Sequence, residues 1–187
     1  MKKLIALALS LALLLGCVSA LAETEQKTLQ ATIDMNGAFA LKCYLPEGYV
    51  VQNAGMTGGT YVASISHATD SSKPAMMLSI AFDELLADID RLNDLDDEAL
   101  AKIAATFAEE DDIEVTYSET HLGTKMMVVK DMTDTTDYVD FFTIYKGYEM
   151  EFVLVKDLTG ESGSSLTDEE IEMAVQFLSD LEFDEVK

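Results

Sequence analysis

Carboxylates are the commonest chemistry-bearing side chains in this sequence. Asp88 and Asp90, then Asp94 with Asp96, Asp97 and Glu98, then Glu109 to Asp112, then Asp131, Asp134, Asp137 and Asp140 follow one another in clusters. Clustered acids can supply the oxygen ligands that Ca²⁺ prefers, but an EF-hand loop needs alternating acids, a central glycine and a distal glutamate. Asp94, Asp96 and Glu98 alternate, and Ala99 stands where the glycine is required. A hydrolase that uses paired carboxylates needs two of them facing each other across a cleft, and no pair stands out in the linear order. The plainer reading is helix caps and solvated loop acids.

Cys43 could serve as a nucleophile only if exposed beside a base such as His67 or His121. It alternates with Phe39, Leu41 and Leu45, so the spacing predicts burial as a small hydrophobe. His67 and His121 are too far apart in sequence to specify a zinc site. Met76-Met77, Met126-Met127 and Met150 fall in strand-like runs. Thioethers bind Cu(I), yet neighbours on a strand point to opposite faces, so each pair is expected to divide between two cores. Gly55, Gly58 and Gly59 do not lead into a helix and form no phosphate cradle. Tyr138, Tyr145 and Tyr148, with Tyr44, Tyr49 and Tyr61, would make an aromatic binding surface if exposed near a hairpin. No catalytic triad, nucleophile elbow or nucleotide-binding glycine pattern is present. The expectation is therefore no catalytic residue, no metal site and no cofactor, with Tyr138, Tyr145 and Tyr148 as the binding-surface candidates.

The elements that would hold these residues follow from periodicity. Alternation predicts strands over 39–45, 61–66, 75–82, 113–118, 123–130, 138–145 and 148–156. The run 75–82 is apolar on both faces and reads as central. Asn53 to Gly59 reads as a flexible turn, and Lys146-Gly147 as a tight hairpin turn. Leu85, Leu86, Ile89 and Leu92, then Leu100, Ile103, Ala104 and Phe107, sit at helical spacing, giving two short helices or one interrupted helix. Thr167-Asp168-Glu169-Glu170 is a capping box ahead of the stripe Ile171, Ala174, Val175, Leu178 and Leu181, which predicts a final amphipathic helix. Strands, a helical region, strands and a last helix make an α+β pattern. The expectation is an antiparallel sheet with helices packed on its faces, in a single domain over 38–187.

Composition narrows the function classes. The chain has 187 residues, with 12 Lys+Arg against 35 Asp+Glu and a formal net charge of −23. So few cations argue against nucleic-acid binding. Half of the chain is apolar, enough for a packed core. Met1-Lys2-Lys3, the apolar run Leu4 to Leu15 and Ala20-Leu21-Ala22 match a bacterial signal peptide over 1–22. Residues 23–37 are polar and read as a flexible leader. Leu14-Leu15-Gly16-Cys17 also resembles a lipobox, in which Cys17 would be lipidated and would anchor the protein to a membrane. Leu at the middle of that box is unusual, so simple secretion is favoured. Both routes place the protein outside the cytoplasm and leave Cys43 without a disulfide partner.

The stretch Phe39-Ala-Leu-Lys-Cys-Tyr-Leu-Pro-Glu-Gly-Tyr49 resembles the opening of the PsbP-like fold family, and Phe177-Leu-Ser-Asp-Leu-Glu-Phe183 resembles its closing segment. The resemblance implies a sandwich of an antiparallel sheet between helices and a non-enzymatic binding or assembly role. The functional expectation is an exported bacterial accessory module that contacts an envelope or secreted component. Calcium-binding structural modules and small paired-carboxylate hydrolases are the alternatives. The partner and the oligomeric state are not fixed by the sequence.

Overall fold

Hairpins dominate the chain because its apolar residues alternate and its turns carry residues able to adopt positive φ. The structure is a computed structural model and describes residues 28–33, 39–107, 113–120, 123–131, 138–156 and 165–184. Strands β1 (Thr28–Ile33) and β2 (Phe39–Tyr44) pair antiparallel, and β10 (Glu182–Asp184) pairs with the other edge of β2. The remaining strands are β3 (Tyr49–Thr57), β4 (Thr60–His67), β5 (Ala75–Phe82), β6 (Ile113–Glu119), β7 (Lys125–Asp131), β8 (Tyr138–Tyr145) and β9 (Tyr148–Val155). They form one antiparallel sheet in the order β3-β4-β5-β9-β8-β7-β6. Among the described residues there are two α-helices, α1 (Asp97–Phe107) and α2 (Asp168–Ser179), and two 3-10 turns at Glu84–Leu86 and Leu92–Asp94.

This β-rich architecture corrects the expectation of an α+β chain with helices packed on a single sheet. Two segments account for the difference. Thr28–Ile33, read as part of a polar leader over 23–37, is taken up as β1 because β2 offers it a full backbone ladder. Residues 182–184, which follow the helical stripe ending at Leu181 and belong to no expected element, fill the opposite edge of β2. A second sheet therefore stands where a helical layer was expected. The segment 83–96 also contributes only 3-10 turns, and one α-helix follows it.

Turn chemistry explains the hairpins. Gly58 and Gly59 have φ of 59° and 90°, the geometry of a two-residue turn, so β3 runs on through Thr57 where a flexible loop was expected. Lys146 and Gly147, at φ 51° and 77°, close the β8–β9 hairpin as the sequence predicts. Segment 83–91 clasps that turn: the Lys146 and Gly147 amides donate to the Asp90 and Ile89 carbonyls at 2.7 and 2.9 Å. A side chain at Gly147 would meet Phe82 at 2.9 Å.

Two cores lie on opposite faces of the large sheet. On one face Ile65, Leu78, Ile80, Phe141, Met150 and Phe152 meet β2, β10 and the Ile171, Ala174, Phe177, Leu178 stripe of α2. On the other, Met127, Val129, Phe142 and Ile144 meet Leu92 and Leu100. Met76 and Met126 face the first core, and Met127 faces the second, as strand alternation requires.

Candidate functional site

At the end of the large sheet where β4 finishes and β5 begins, the chain turns through residues 68–74. Asp70 makes this turn. Its Oδ1 accepts from the Ser72 amide at 3.0 Å and from the Ser72 hydroxyl at 2.6 Å, an Asx-type arrangement. Those bonds hold its carboxyl below the ordinary carboxylate range. The Asp70 amide in turn donates to His67 Nδ1 at 3.1 Å, with the Thr69 amide at 3.4 Å. With Nδ1 accepting, the neutral ring carries its proton on Nε2. The ring lies over Gly48, where a Cβ would fall 2.4 Å from Nε2 and φ is +81°. Tyr49 meets the ring edge-on at 5.5 Å.

Lys156, just beyond β9, pairs with Glu170 on the first turn of α2, and both side chains are mostly out of water. Glu170 also completes the capping box: it accepts from the Thr167 amide at 2.9 Å, and Thr167 Oγ1 accepts from the Glu170 amide at 3.3 Å. Burial pushes the Glu170 carboxyl up, but the bonds from Lys156 and Thr167 outweigh it and hold it below its ordinary value. Burial, followed by the negative charges of Glu170 and Asp70, pushes the Tyr49 phenol up to about 12, so it stays a neutral donor. Ser66, His67, Asp70, Lys73, Val155 and Lys156 are among the residues lining the shallow depression of about 420 Å³ at this end. The depression offers positioned donors and acceptors, and its lining contains no cysteine.

The tyrosine candidates lie elsewhere, and the exposed patch they were expected to form is corrected. Tyr145 and Tyr148 are buried at 7% and 2% exposure. Phe39 stands edge-on to both at 5.1 Å, and Phe183 stacks on Tyr145 at 4.4 Å. The small sheet covers this end of the hairpin, so the rings join the two sheets. Tyr138 is half-buried at the far end of β8, opposite Val155. Cys43 is fully buried among core residues, as its alternation predicts. Cys17, His121, Asp134, Asp137 and the acids from Glu109 to Asp112 lie outside the described residues, as does the signal peptide.

One member of the acidic runs has a distinctive setting. Asp140 lies on β8 at 3% exposure, and its Oδ1 has no hydrogen-bond partner. Burial, with the nearby Glu151 charge second, pushes its pKa up to about 7. Such a value suits a general acid. The β8–β9 register places Glu151 diagonally across from Asp140 on the same face. The carboxyl is closed off from solvent and does not line the depression. A lone acid within the apolar run Tyr138–Tyr145 is the sequence signal that marks it. Among the described residues no group of three His, Cys, Asp or Glu side chains is arranged to hold a metal ion. No family model matches the chain, and no curated protein matches it in sequence.

Proposed function

We propose that the chain is an exported bacterial binding or accessory module without catalysis of its own, whose ligand, an envelope or secreted component, seats in the depression at the ends of β4, β5 and β9. The observation that carries this reading is the way the fold fixes that depression's polar groups. His67 is held by the Asp70 amide, Asp70 by Ser72, and Lys156 by Glu170. Side chains held before a ligand arrives lose little freedom on binding, which favours recognition. The signal-like segment Met1 to Ala22 supports export, and the two PsbP-like motifs support a non-enzymatic role.

Site-specific photo-crosslinking in producing cells tests the reading. A crosslinker at Ser71, which lines the depression, should give a discrete adduct, and one at exposed Glu98 on α1 should not. Lys156→Ala should reduce the Ser71 adduct. No adduct at Ser71, or the same adduct from both positions, would sink the proposal. Mass spectrometry of the mature amino terminus separates free secretion, which begins at Glu23, from lipidation at Cys17.

A further inference from the structure

The two edges of the large sheet differ in charge. Edge strand β6 carries Glu114 and Glu119, set opposite Lys130 and Lys125 of β7. Charged edges discourage strand addition. Edge strand β3 carries no charge, and between Glu47 and Asp70 the sequence contains no Asp, Glu, Lys or Arg. The next two strands in the sheet, β4 and β5, are also uncharged. In a chain with a net charge of −23 this is an unusual stretch of surface.

Among the described residues no strand pairs with the outer edge of β3. A bulge falls between Val51 and Asn53, and from Asn53 to Thr57 the register with β4 is regular. The Gly58-Gly59 turn makes Thr57 and Thr60 a hydrogen-bonded pair, so Gly55 also bonds to β4 while the Ala54 and Met56 amides and carbonyls face outward. Ala54 and Met56 are exposed, Met56 at 53%. A Cβ on Gly55 would meet nothing within 4 Å.

We propose that this edge pairs with the same edge of a second copy, antiparallel and centred on Gly55. Ala54 then exchanges its backbone bonds with the partner's Met56, and Met56 with the partner's Ala54. Such pairing is self-complementary, as a two-fold interface requires. Charge selects the second copy over a foreign basic segment, because the neutral edge gives a cationic peptide no anion to pair with. It also makes this the edge where two acidic copies can meet. β9, the nearest charged strand in the sheet, is three strands from β3, roughly 14 Å at ordinary strand spacing. That exceeds the Debye length of about 8 Å at physiological salt. At the Tyr49 end Asp70 and Glu170 act on the phenol, and at the hairpin end Asp83 follows β5, whose Ala81 lies opposite Thr60, two strands from β3 and so roughly 10 Å away at ordinary strand spacing. The inference is independent of the ligand depression.

Sedimentation analysis of the purified protein tests it. The expected result is a dimer at about 100 µM that tightens as NaCl is raised to about 0.5 M, because screening relieves repulsion between like copies. Ala54→Pro removes an outward amide without touching a bond to β4, and Ala54→Lys places a charge on the edge. Both should weaken the dimer at least about tenfold. Circular dichroism would confirm that each variant is folded, and Ala54→Lys serves if Ala54→Pro is not. Thr116→Lys, on the other edge, should dimerise as the parent does. A monomeric parent at high salt, a dimer that survives Ala54→Lys, a dimer weakened by salt, or a dimer lost in Thr116→Lys would each overturn the proposal.

Discussion

The two faces of the large sheet are closed by different means. On one face β2, β10 and α2 lie across the strands, and the residues facing them are buried along β4, β5, β8 and β9: Tyr61 to Ile65, Met76 to Ile80, Val139 to Tyr145, Tyr148 to Leu154. On the other face α1 and the 3-10 turns cover β7 and β8 through Leu92 and Leu100. Beyond β8 the cover from described residues is thinner: Val153 on β9 and Val62 on β4 are still buried, but Glu149, Glu151 and Val155 on β9, Met77 and Ser79 on β5 and Ser64 on β4 are half-exposed. A sheet laid on a sheet excludes water over a broad area, whereas a short helix covers only the few strands beneath it. Asp140 sits beside Phe142, which packs under Phe107 of α1, and diagonally from half-exposed Glu151. It thus lies at the border of the covered area.

Truncation on the closed face should have the largest effect. Phe39→Ala removes a fully buried ring and its contacts with Tyr145, Tyr148 and Phe183, and should cost about 3–5 kcal/mol in urea unfolding. Leu100→Ala, at the buried position of α1, should cost less, about 2–4 kcal/mol. It should speed amide exchange in α1 while leaving the β2–β10 ladder protected. Equal losses, or exchange that spreads to the small sheet, would mean that the two faces melt as one layer and would break the comparison.

The sequence announces the closed face more clearly than the partly covered one. Alternation places β2, β4, β5, β8 and β9, and the capping box at Thr167 places α2, because these signals are local. β1 alternates too, with Leu29, Ala31 and Ile33 between Thr28, Gln30 and Thr32, but so short a run inside a polar leader is not assigned without its partner β2. Glu182–Asp184 is three residues long and depends on β2 in the same way. The depression was hidden for the same reason. His67 and Asp70 share one turn, but Lys156 and Glu170 come from a distant part of the chain, and strand order brings the two pairs together. Tyr145 and Tyr148 looked exposable because their hairpin could be read, but the small sheet above it could not.

Titration should separate the faces more finely. Asp140 has its pKa raised to about 7 from an ordinary 3.8. Below pH about 4 both folded and unfolded chains hold its proton. Between there and pH about 7 the unfolded chain releases the proton first, so stability falls as pH rises through this window. The fall should be about 3–4 kcal/mol, and Asp140→Asn should flatten it and make the variant more stable than the parent at pH about 8. A variant that is less stable at that pH would show that Asp140 has a partner in solution.

Glu170 should give the smallest effect, with the opposite sign. Its carboxyl is also largely out of water, but Lys156 and Thr167 hold its pKa below the ordinary value, so its contribution is present above that value. As pH falls below about 4.5 and through the folded pKa, the folded chain must give up the charged form, and the contribution is lost. Glu170→Gln sharpens the contrast because Gln can still accept from the Thr167 amide and keep the capping box, so the change reports chiefly on the pair with Lys156. Thermal unfolding should show a loss of about 1 kcal/mol at neutral pH that vanishes under acid conditions. If the loss persists where the carboxyl is already protonated, the side chain's shape rather than its charge secures α2 to the sheet, and the two buried acids would no longer differ by partnership alone.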